Sequence, residues 1–402
     1  MRFETHPISE LIDEISMGPF GSNIKVECFV DEGIPVLNGS NLEGYELKEE
    51  SFRYVTDEKA DSLNKANAYR GDIVITHRGT LGQIVFIPQT SKYDRYVISQ
   101  SQFRVRCNHM ILPEYMVYYF HTHLGKHKLL SNASQVGVPA LARPSTTFQK
   151  IEIEIPDIPT QKRIIAILQT IHDKIAINTN INENLEQKAQ AYFIELFIAK
   201  ANPDWKIGTI SDLGNVVGGG TPSKKFQEYY TSNGIAWITP KDLSNDKSKF
   251  VAHGETDITE LGLAKSSATL MPEGTVLFSS RAPIGYIAIA DGQVSTNQGF
   301  KSVVPFDNVG TAFIYYFLKE NLSAIENVAS GSTFKEVSGS TLKNFIAVIP
   351  DDDTLAEFQR FCDPLFENQR ALERENRFFT ALRDALLPKL MSGEIDVSQV
   401  QI

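Results

Sequence analysis

The sequence predicts an α+β protein in which two similar globular domains are separated by two long antiparallel coiled-coil helices, with pseudo-two-fold symmetry. Three observations support this fold class. The 402-residue chain repeats a set of motifs at a period of about 200 residues, which indicates duplicated domains rather than a solenoid. Each half mixes short β-rich runs with one aromatic helical segment. Each half also ends in a heptad pattern of apolar residues.

The duplication consists of five motifs that occur in the same order in both halves. Given as first half and second half, they span 8–13 and 207–212, 33–42 and 234–243, 71–79 and 274–282, 100–103 and 297–300, and 155–157 and 349–351. Chance similarity explains one such match more easily than five in register. We therefore expect two copies of one domain.

The same elements are expected in order within each copy. A strand ends in a polar turn that carries an arginine, Arg78 or Arg281, and a second strand follows. An aromatic helix, a Ser/Gly-rich loop and a last strand complete the domain, which has about 150 residues and lies in the usual size range. The expected bounds, first half then second, are 72–76 and 275–278, 83–87 and 286–290, 113–130 and 311–328, and 150–155 and 344–349.

Each copy is followed by a helical segment with apolar residues at alternating steps of three and four, the a and d positions of a coiled coil. The first seam is Gln161, Ile164, Leu168, Ile171, Ile175, Asn178, Asn182, Leu185, Ala189, Tyr192 and Leu196, and the second is Leu355, Phe358, Cys362, Leu365, Gln369, Leu372, Asn376, Phe379, Arg383, Leu386 and Leu390. One such segment alone is typical of an amphipathic surface helix. Two matched seams in one chain favour intramolecular pairing.

Polar residues within the seams are expected to lie near the middle of the paired helices and to fix their register, namely Asn178, Asn182, Gln369 and Asn376. At about 1.5 Å per residue, a helix of about 37 residues measures about 55 Å. If the pair is antiparallel, we expect the domains at opposite ends. The chain then divides into a globular domain at 1–158, a central helix at 159–200, a second domain at 201–352 and a C-terminal helix at 353–402.

The composition excludes several classes of protein. Three distant cysteines, Cys28, Cys107 and Cys362, argue against a disulfide framework or a zinc cluster and indicate a reducing cytoplasm. No apolar run approaches the length of a membrane span, and the N-terminus lacks the pattern of a signal peptide. The formal net charge of −10 opposes simple DNA binding, because phosphate contacts usually come with a basic surface.

Motifs for catalysis or for a cofactor are not found. The stretch 218–225 is glycine-rich and basic, but Ser223 stands where a P-loop has its second glycine. His123 and His127 share a helix face next to His121, yet no Cys or acidic partner is nearby, so a solvated helix face is favoured over a metal site. We therefore expect no catalytic residues, no cofactor and no metal.

Several segments together resemble the specificity subunit of a Type I restriction-modification system, and the resemblance covers nearly the whole chain. The segments are 382–395 (LRDALLPKLMSGEI), 184–190 (NLEQKAQ), Ile155-Pro156 ahead of 161–164 (QKRI), 18–23 (GPFGSN) and 218–223 (GGGTPS). The C-terminal match is the most specific of these. One departure is His6-Pro7 in the first half, where the second has Trp205-Lys206.

The resemblance implies a DNA-binding function without catalysis. Its two target-recognition domains would read a bipartite, asymmetric site in double-stranded DNA, and its helices would set the separation of the half-sites. The helices would also bind two methyltransferase (modification) subunits, and restriction–translocase subunits would join that assembly. The alternative is a coiled-coil adaptor whose globular domains bind proteins, and equal affinity for target and scrambled duplexes would favour it.

DNA contacts require donors on loops: Arg or Lys for guanine or phosphate, Asn or Gln for adenine, and Ser or Thr for either. Each candidate could equally be an ordinary turn residue. Matched residues are expected to contact the backbone or support the fold, since domains with different targets need different base readers. The candidates are Ser22, Asn23, Lys25, Asn38, Ser40, Asn41, His77, Arg78, Gln135 and Arg143 in the first half, and Thr221, Ser223, Lys224, Lys225, Thr239, Lys241, Arg281, Ser332, Thr333 and Lys335 in the second.

Overall fold

A computed structural model describes residues 2–19, 23–131, 133–134, 138–331 and 335–400, and the chain divides into two compact units. The first unit comprises Met1–Asp173 and Phe379–Ile402, and the second comprises Lys174–Phe378. Each unit thus holds one globular half together with part of both long helices. These helices are α6 (Ile158–Ile194), which continues into a π-helical turn at Glu195–Ala199, and α12 (Asp352–Met391).

The globular part of the first unit contains twelve strands and five short helices within the described residues. The strands are β1 Glu4–Pro7, β2 Ile12–Met17, β3 Ile34–Val36, β4 Arg53–Val55, β5 Asn67–Tyr69, β6 Asp72–Thr76, β7 Ile84–Phe86, β8 Arg95–Val97, β9 Gln102–Cys107, β10 Ala133–Ser134, β11 Ala140–Leu141 and β12 Glu152–Ile155. The helices are α1 Ile8–Leu11, α2 Asp57–Ser62, α3 Pro113–His121, α4 His123–Leu130 and α5 Pro144–Gln149.

The globular part of the second unit repeats this order with small changes. Its strands are β13 Lys206–Thr209, β14 Gly214–Gly218, β15 Tyr230–Thr231, β16 Ala236–Ile238, β17 Phe250–Val251, β18 Asp257–Ile258, β19 Val276–Ser280, β20 Ile284–Ala290, β21 Val294–Thr296, β22 Lys301–Pro305 and β23 Ile346–Ile349. Its helices are α7 Pro240–Asn245, α8 Glu260–Ala264, α9 Thr311–Glu320, α10 Leu322–Asn327 and α11 Gly339–Lys343.

One sheet has the same strand order in both units, apart from an additional edge strand in the second, which confirms the duplication. The order is β2-β9-β6-β7 in the first unit and β14-β22-β19-β20-β17 in the second. A two-stranded antiparallel ribbon, β1–β12 or β13–β23, joins the first strand of each globular half to its last. The expected two-domain α+β class is therefore correct.

Both long helices contribute apolar side chains to the core of each unit. In the first unit, Ile164 and Leu168 of α6 and Leu390 of α12 are buried with the aromatic helix α3. In the second unit, Phe193 of α6 and Phe358 of α12 are buried with α9. Each fully buried side chain of this size stabilises the fold by about 1.5–3 kcal/mol. The helices are thus part of both domain cores.

Within the second unit the two helices are antiparallel, because residues with increasing numbers in α6 contact residues with decreasing numbers in α12. The Nδ2 of Asn178 donates to Oδ1 of Asn376 (2.9 Å), and the Nε2 of Gln369 donates to the carbonyl oxygen of Asn182 (3.1 Å). The ring of Tyr192 stacks near Phe358 with 6.0 Å between centroids. The predicted intramolecular pairing of the two seams is confirmed, and the polar residues Asn178, Asn182, Gln369 and Asn376 take part in it.

The predicted single aromatic helices are wrong, since each is broken in two. Thr122 ends α3, and its Oγ1 accepts from the backbone N–H of Gly125 (2.9 Å) to cap α4. A Cβ on Gly125 would lie 2.1 Å from the Tyr119 carbonyl oxygen, so only glycine fits this turn. In the second unit, Asn321 lies between α9 and α10.

Within the described segments, we find no helix with the length and apolar character needed to span a bilayer. The three cysteines are free thiols.

Candidate nucleic-acid interface

A cleft of about 470 Å³ in the second unit gathers five of the predicted contact residues. The turn after β14 supplies Thr221 and Lys224, the start of α7 supplies Thr239 and Lys241, and the turn after β19 supplies Arg281. Two residues that the sequence analysis left out, Trp237 and Gln298, also line it. The loops that sequence reasoning selected separately therefore converge on one surface.

A cleft of about 530 Å³ lies at the corresponding place in the first unit. It is lined by Asn23 of the loop after β2, by His77 and Arg78 after β6, and by Gln100 and Lys65. Gln100 and Gln298 were not predicted as contacts, although the recurring motifs at 100–103 and 297–300 carried the signal. Lys65 has no matching lysine in the second half and could not be found in this way.

Equivalent backbone hydrogen bonds determine which residues of the two clefts correspond. The N–H of His77 donates to the Ser101 oxygen (2.8 Å), as that of Ser280 donates to the Gly299 oxygen (2.7 Å). Arg78 therefore corresponds to Arg281. The same bonds align Gln100 with Gln298, one position away from the alignment with Asn297 that the sequence indicated.

The later loops lie beside these arginine turns in both units. The backbone of Arg78 forms a bridge with Ala140, and the N–H of Val337 donates to the Ser280 oxygen (3.0 Å). Glu336 forms an ion pair with Arg281 (3.5 Å). Exposed Arg143, in a left-handed conformation ahead of α5, and exposed Lys335 belong to these loops. The predicted Gln135, Ser332 and Thr333, like Ser22 of the first glycine turn, lie outside the described residues.

Two predicted contacts, Asn41 and Thr239, have side chains that hold turns. Asn41 is 1% exposed, and its Nδ2 donates to the carbonyl oxygens of Lys48 (3.0 Å) and Glu50 (2.8 Å). The side chain of Thr239 donates to Asp242 Oδ2 (2.6 Å) in the capping box of α7. The amide of Asn41 therefore has no donor left for a base edge, whereas the Thr239 hydroxyl has its donor engaged and keeps one acceptor lone pair.

The two residues that precede Asn41 belong to the same turn. Asn38 accepts from the Ser40 hydroxyl (2.6 Å) and from its backbone N–H (2.9 Å). Both residues are exposed, and the Oδ1 of Asn38 is already paired with the hydroxyl and backbone N–H of Ser40. The turn keeps its shape without any ligand, which favours a supporting role for Asn38 and Ser40.

The remaining predicted residues are exposed or half-buried. Lys241 forms an exposed ion pair with Glu255 (2.6 Å), and Thr221 donates to Gln298. The Nε2 of His77 lies 3.1 Å from the Gln100 carbonyl oxygen, and burial lowers the pKa of this half-buried imidazole. Lys25, Ser223 and Lys225 are exposed on the loops after the glycine turns and do not line the clefts.

No cluster of His, Cys, Asp or Glu with metal-binding geometry occurs among the described residues. The Nε2 of His121 lies 2.9 Å from the Ile84 carbonyl oxygen, and burial lowers the pKa of this histidine. His121 thus has a structural partner within the domain.

A buried lysine fastens the second globular half to its helices. Lys249, which is 8% exposed, forms an ion pair with Glu186 of α6 (2.7 Å) and donates to Gln369 Oε1 of α12 (3.0 Å). Its Nζ lies 3.5 Å from the ring centroid of Phe366. Lys319 pairs with the other oxygen of Glu186 (2.7 Å). Burial lowers the pKa of Lys249 to about 8, against the opposing effect of Glu186.

Aromatic rings occupy the equivalent place in the first unit. Glu46 forms a parallel bridge with Phe86, as Phe250 pairs in parallel with Ile289. The preceding residues, Tyr45 and Lys249, therefore correspond. The ring centroids of Tyr45 and His172 of α6 lie 4.6 Å apart. The Arg383 guanidinium of α12 lies 5.5 Å from the Tyr45 ring. Burial lowers the pKa of His172 to about 4, so the imidazole is neutral at physiological pH. The two halves therefore dock on their helices by different chemistry.

Comparison with known proteins gives a consistent result. The family model of the Type I restriction modification DNA specificity domain matches residues 25–187 and 202–375. The chain is similar to the MjaIX specificity subunit of Methanocaldococcus jannaschii (40% identity over 183 residues, covering 44% of this chain but only 42% of that protein). It is also similar to the HindI specificity subunit of Haemophilus influenzae (25% over 412 residues, covering 81% and 87%).

The fold is shared with a solved structure. The crystal structure of the Type I restriction-modification S subunit from M. genitalium superposes with a TM-score of 0.61 at 13% identity, over 97% of this chain and 96% of that one. At this identity the likeness concerns the architecture alone.

Proposed function

We propose, from the premise that this chain belongs to the Type I restriction modification DNA specificity family, that it is the non-catalytic subunit that selects a bipartite, asymmetric target in double-stranded DNA. One recognition domain, 1–158, would read one half-site, and the other, 201–352, would read the second. The helical segments 159–200 and 353–402 would carry the partner subunits. The adaptor alternative is set aside, because both halves match a DNA specificity domain.

The observation that carries this proposal is the pair of matched clefts. Each is lined by an arginine and a glutamine at corresponding positions, Arg78 with Gln100 and Arg281 with Gln298. Both side chains donate hydrogen bonds to phosphates or to base edges. Two copies of one polar surface within one chain suit a target made of two parts.

Basic side chains on the loops beside the clefts would contact phosphates. Lys25 and Lys225 are exposed, and neither has an ion pair within the part of the chain that the structure describes. The formal net charge is nevertheless −10, which weakens attraction to a polyanion at long range. We therefore assign most of the DNA affinity to the partner subunits, and expect the isolated chain to bind weakly.

Two modification (methyltransferase) subunits would bind the helices, and restriction–translocase subunits would join through them. In the second unit, Ile177 and Ile181 of α6 are 54% and 38% exposed and lie one turn apart on the same face. Exposed apolar side chains on a helix that already buries its seam favour a protein partner. We assign this stripe to one modification subunit, and place the complex in the cytoplasm with the genome.

The test is selection of duplexes from a randomised pool by the chain in complex with its modification subunits. A motif with two half-sites and a constant gap is expected. Recovery of a single continuous motif, or of none, would contradict the proposal. The isolated chain serves as a comparison, and is expected to enrich the same motif more weakly.

A further inference from the structure

We propose that one matched position, Asn23 in the first cleft and Lys224 in the second, reads a base pair in each half-site, with Asn23 selecting adenine and Lys224 selecting guanine. This inference rests on the proposed function. It goes beyond it by naming where the two half-sites acquire different sequences.

The two residues correspond because the loops that carry them have the same length. Before the loop, the N–H of Gly18 donates to the Gln102 oxygen (2.8 Å), as that of Gly219 donates to the Phe300 oxygen (3.3 Å). After the loop, Ile34 pairs with Val55 as Ile235 pairs with Ile258. The offset from 18 to 219 equals that from 34 to 235, so position 23 matches position 224.

Both loops leave the sheet at a tightly packed glycine. A Cβ on Gly18 would lie 1.9 Å from the Ser99 carbonyl oxygen, and a Cβ on Gly219 would lie 1.9 Å from that of Asn297. In the second unit the indole N–H of Trp237 also donates to the Gly220 oxygen (2.9 Å). The start of the loop is therefore held in the same place in both units, as a reading position requires.

The side chains at this position are available to a ligand. Asn23 and Lys224 are exposed and line their clefts. Within the described residues, neither side chain has a hydrogen bond or an ion pair. Another divergent pair at these surfaces, Ser40 and Lys241, is already engaged, by Asn38 and by Glu255.

The chemistry of the position differs between the halves, whereas that of its neighbours does not. Arginine and glutamine recur at 78 and 281 and at 100 and 298, so they cannot by themselves give two half-sites different sequences. Asparagine forms paired hydrogen bonds with N6 and N7 of adenine, and lysine donates to O6 and N7 of guanine. Position 23 and its counterpart 224 therefore supply different readers at the same place.

The test exchanges the two residues in the complete complex of chain and modification subunits. With Asn23→Lys, selection from a randomised duplex pool should replace A·T by G·C at one base pair of one half-site. Lys224→Asn should make the reverse change in the other half-site. A good base contact corresponds to a preference of roughly 5- to 150-fold at that position. Asn23→Ala and Lys224→Ala should each abolish preference at the same single base pair.

Matched controls separate base reading from a change of charge. Thr90→Lys adds a positive charge at an exposed turn of the first unit, and Lys206→Asn removes one from an exposed strand of the second, both outside the clefts. Neither should change the selected motif. An unchanged motif in the exchange variants, with or without a uniform loss of affinity, would overturn the inference. The wild-type complex tests the proposed function separately, since it must yield a bipartite motif before any exchange is interpreted.

Discussion

Replacement of Lys249 by methionine tests how the second globular half is fastened to its helices. The substitution keeps a long flexible side chain but removes the buried ammonium that Glu186 and Gln369 contact at 2.7 and 3.0 Å. Glu186 then keeps Lys319, whose side chain is 36% exposed, and the hydroxyl of Tyr316, which donates to its Oε2 (2.9 Å). The carboxylate of Glu186 thus loses Lys249, the more deeply buried of its two lysine partners.

The expected loss follows from the burial of the pair. Removing one partner of a buried ion pair costs about 3–5 kcal/mol, and the remaining contacts with Lys319 and Tyr316 place the expectation near the lower limit, at about 3 kcal/mol. Replacing both members by apolar groups removes the unpaired charge. Lys249→Met combined with Glu186→Met should therefore be more stable than Lys249→Met alone, by about 1–2 kcal/mol.

The chain provides a selective probe for this measurement. Both of its tryptophans, Trp205 and Trp237, belong to the second unit, so tryptophan fluorescence during urea unfolding reports on that unit. Free energies of unfolding follow from linear extrapolation. Lys265→Met is the matched control, because this lysine is exposed and the same exchange there should change stability by less than about 0.5 kcal/mol.

Two results would refute the reasoning. If Lys249→Met lowers stability no more than Lys265→Met does, the buried pair contributes nothing to docking. If the losses of Lys249→Met and Glu186→Met simply add, the two groups are not coupled and the contact is incidental.

Three further predictions concern pH, DNA and partners. Burial alone would raise the pKa of Glu186, but Lys249 and Lys319 lower it to about 2. The contribution of Glu186 to folding stability is therefore complete above the unfolded pKa of about 4.3 and is lost as the pH falls through 2. In acid titrations followed by tryptophan fluorescence, Glu186→Gln should lose less stability than wild type between about pH 4.3 and 2, and equal losses would contradict this assignment. Arg78→Ala and Arg281→Ala should each weaken binding of the complex to all duplexes alike and reduce the magnitude of the salt slope of the affinity by about one, without changing the selected motif. Ile177→Ser with Ile181→Ser should reduce co-purification of modification subunits while urea unfolding stays unchanged, and full retention would exclude this stripe as a docking surface.

The parts of the fold that follow from local periodicity could be predicted from the sequence. The heptad seam of α6 is an example, since Ile164, Leu168 and Ala189 are all buried where the spacing places them. The recurring turn at Arg78 and Arg281 is another, because a short β-rich run precedes and follows it in both halves. These features depend on residues that are close in sequence, and one sequence contains that information.

Features that depend on packing between distant segments could not be predicted. The break at Thr122 requires Gly125 to pass against the Tyr119 carbonyl, which a helical pattern does not reveal. The sequence suggested that Asn41 is a free donor on a loop, but in the folded structure its amide donates to the carbonyl oxygens of Lys48 and Glu50. Lys249 lies in a run of charged residues typical of a surface, and only the tertiary structure places it against Phe366.

The unequal docking chemistry of the two halves affects how such genes can exchange segments. A half that arrives in the first position with a lysine in place of Tyr45 would place an ammonium beside the neutral His172 and the cationic Arg383, where the neighbouring carboxylate of Asp384 is already paired with Arg383 (2.7 Å). A half that arrives in the second position with a tyrosine in place of Lys249 would leave Glu186 short of a partner. Recombination between relatives should therefore preserve position, with first halves replacing first halves, and new specificities would arise by shuffling within two separate lineages of domains.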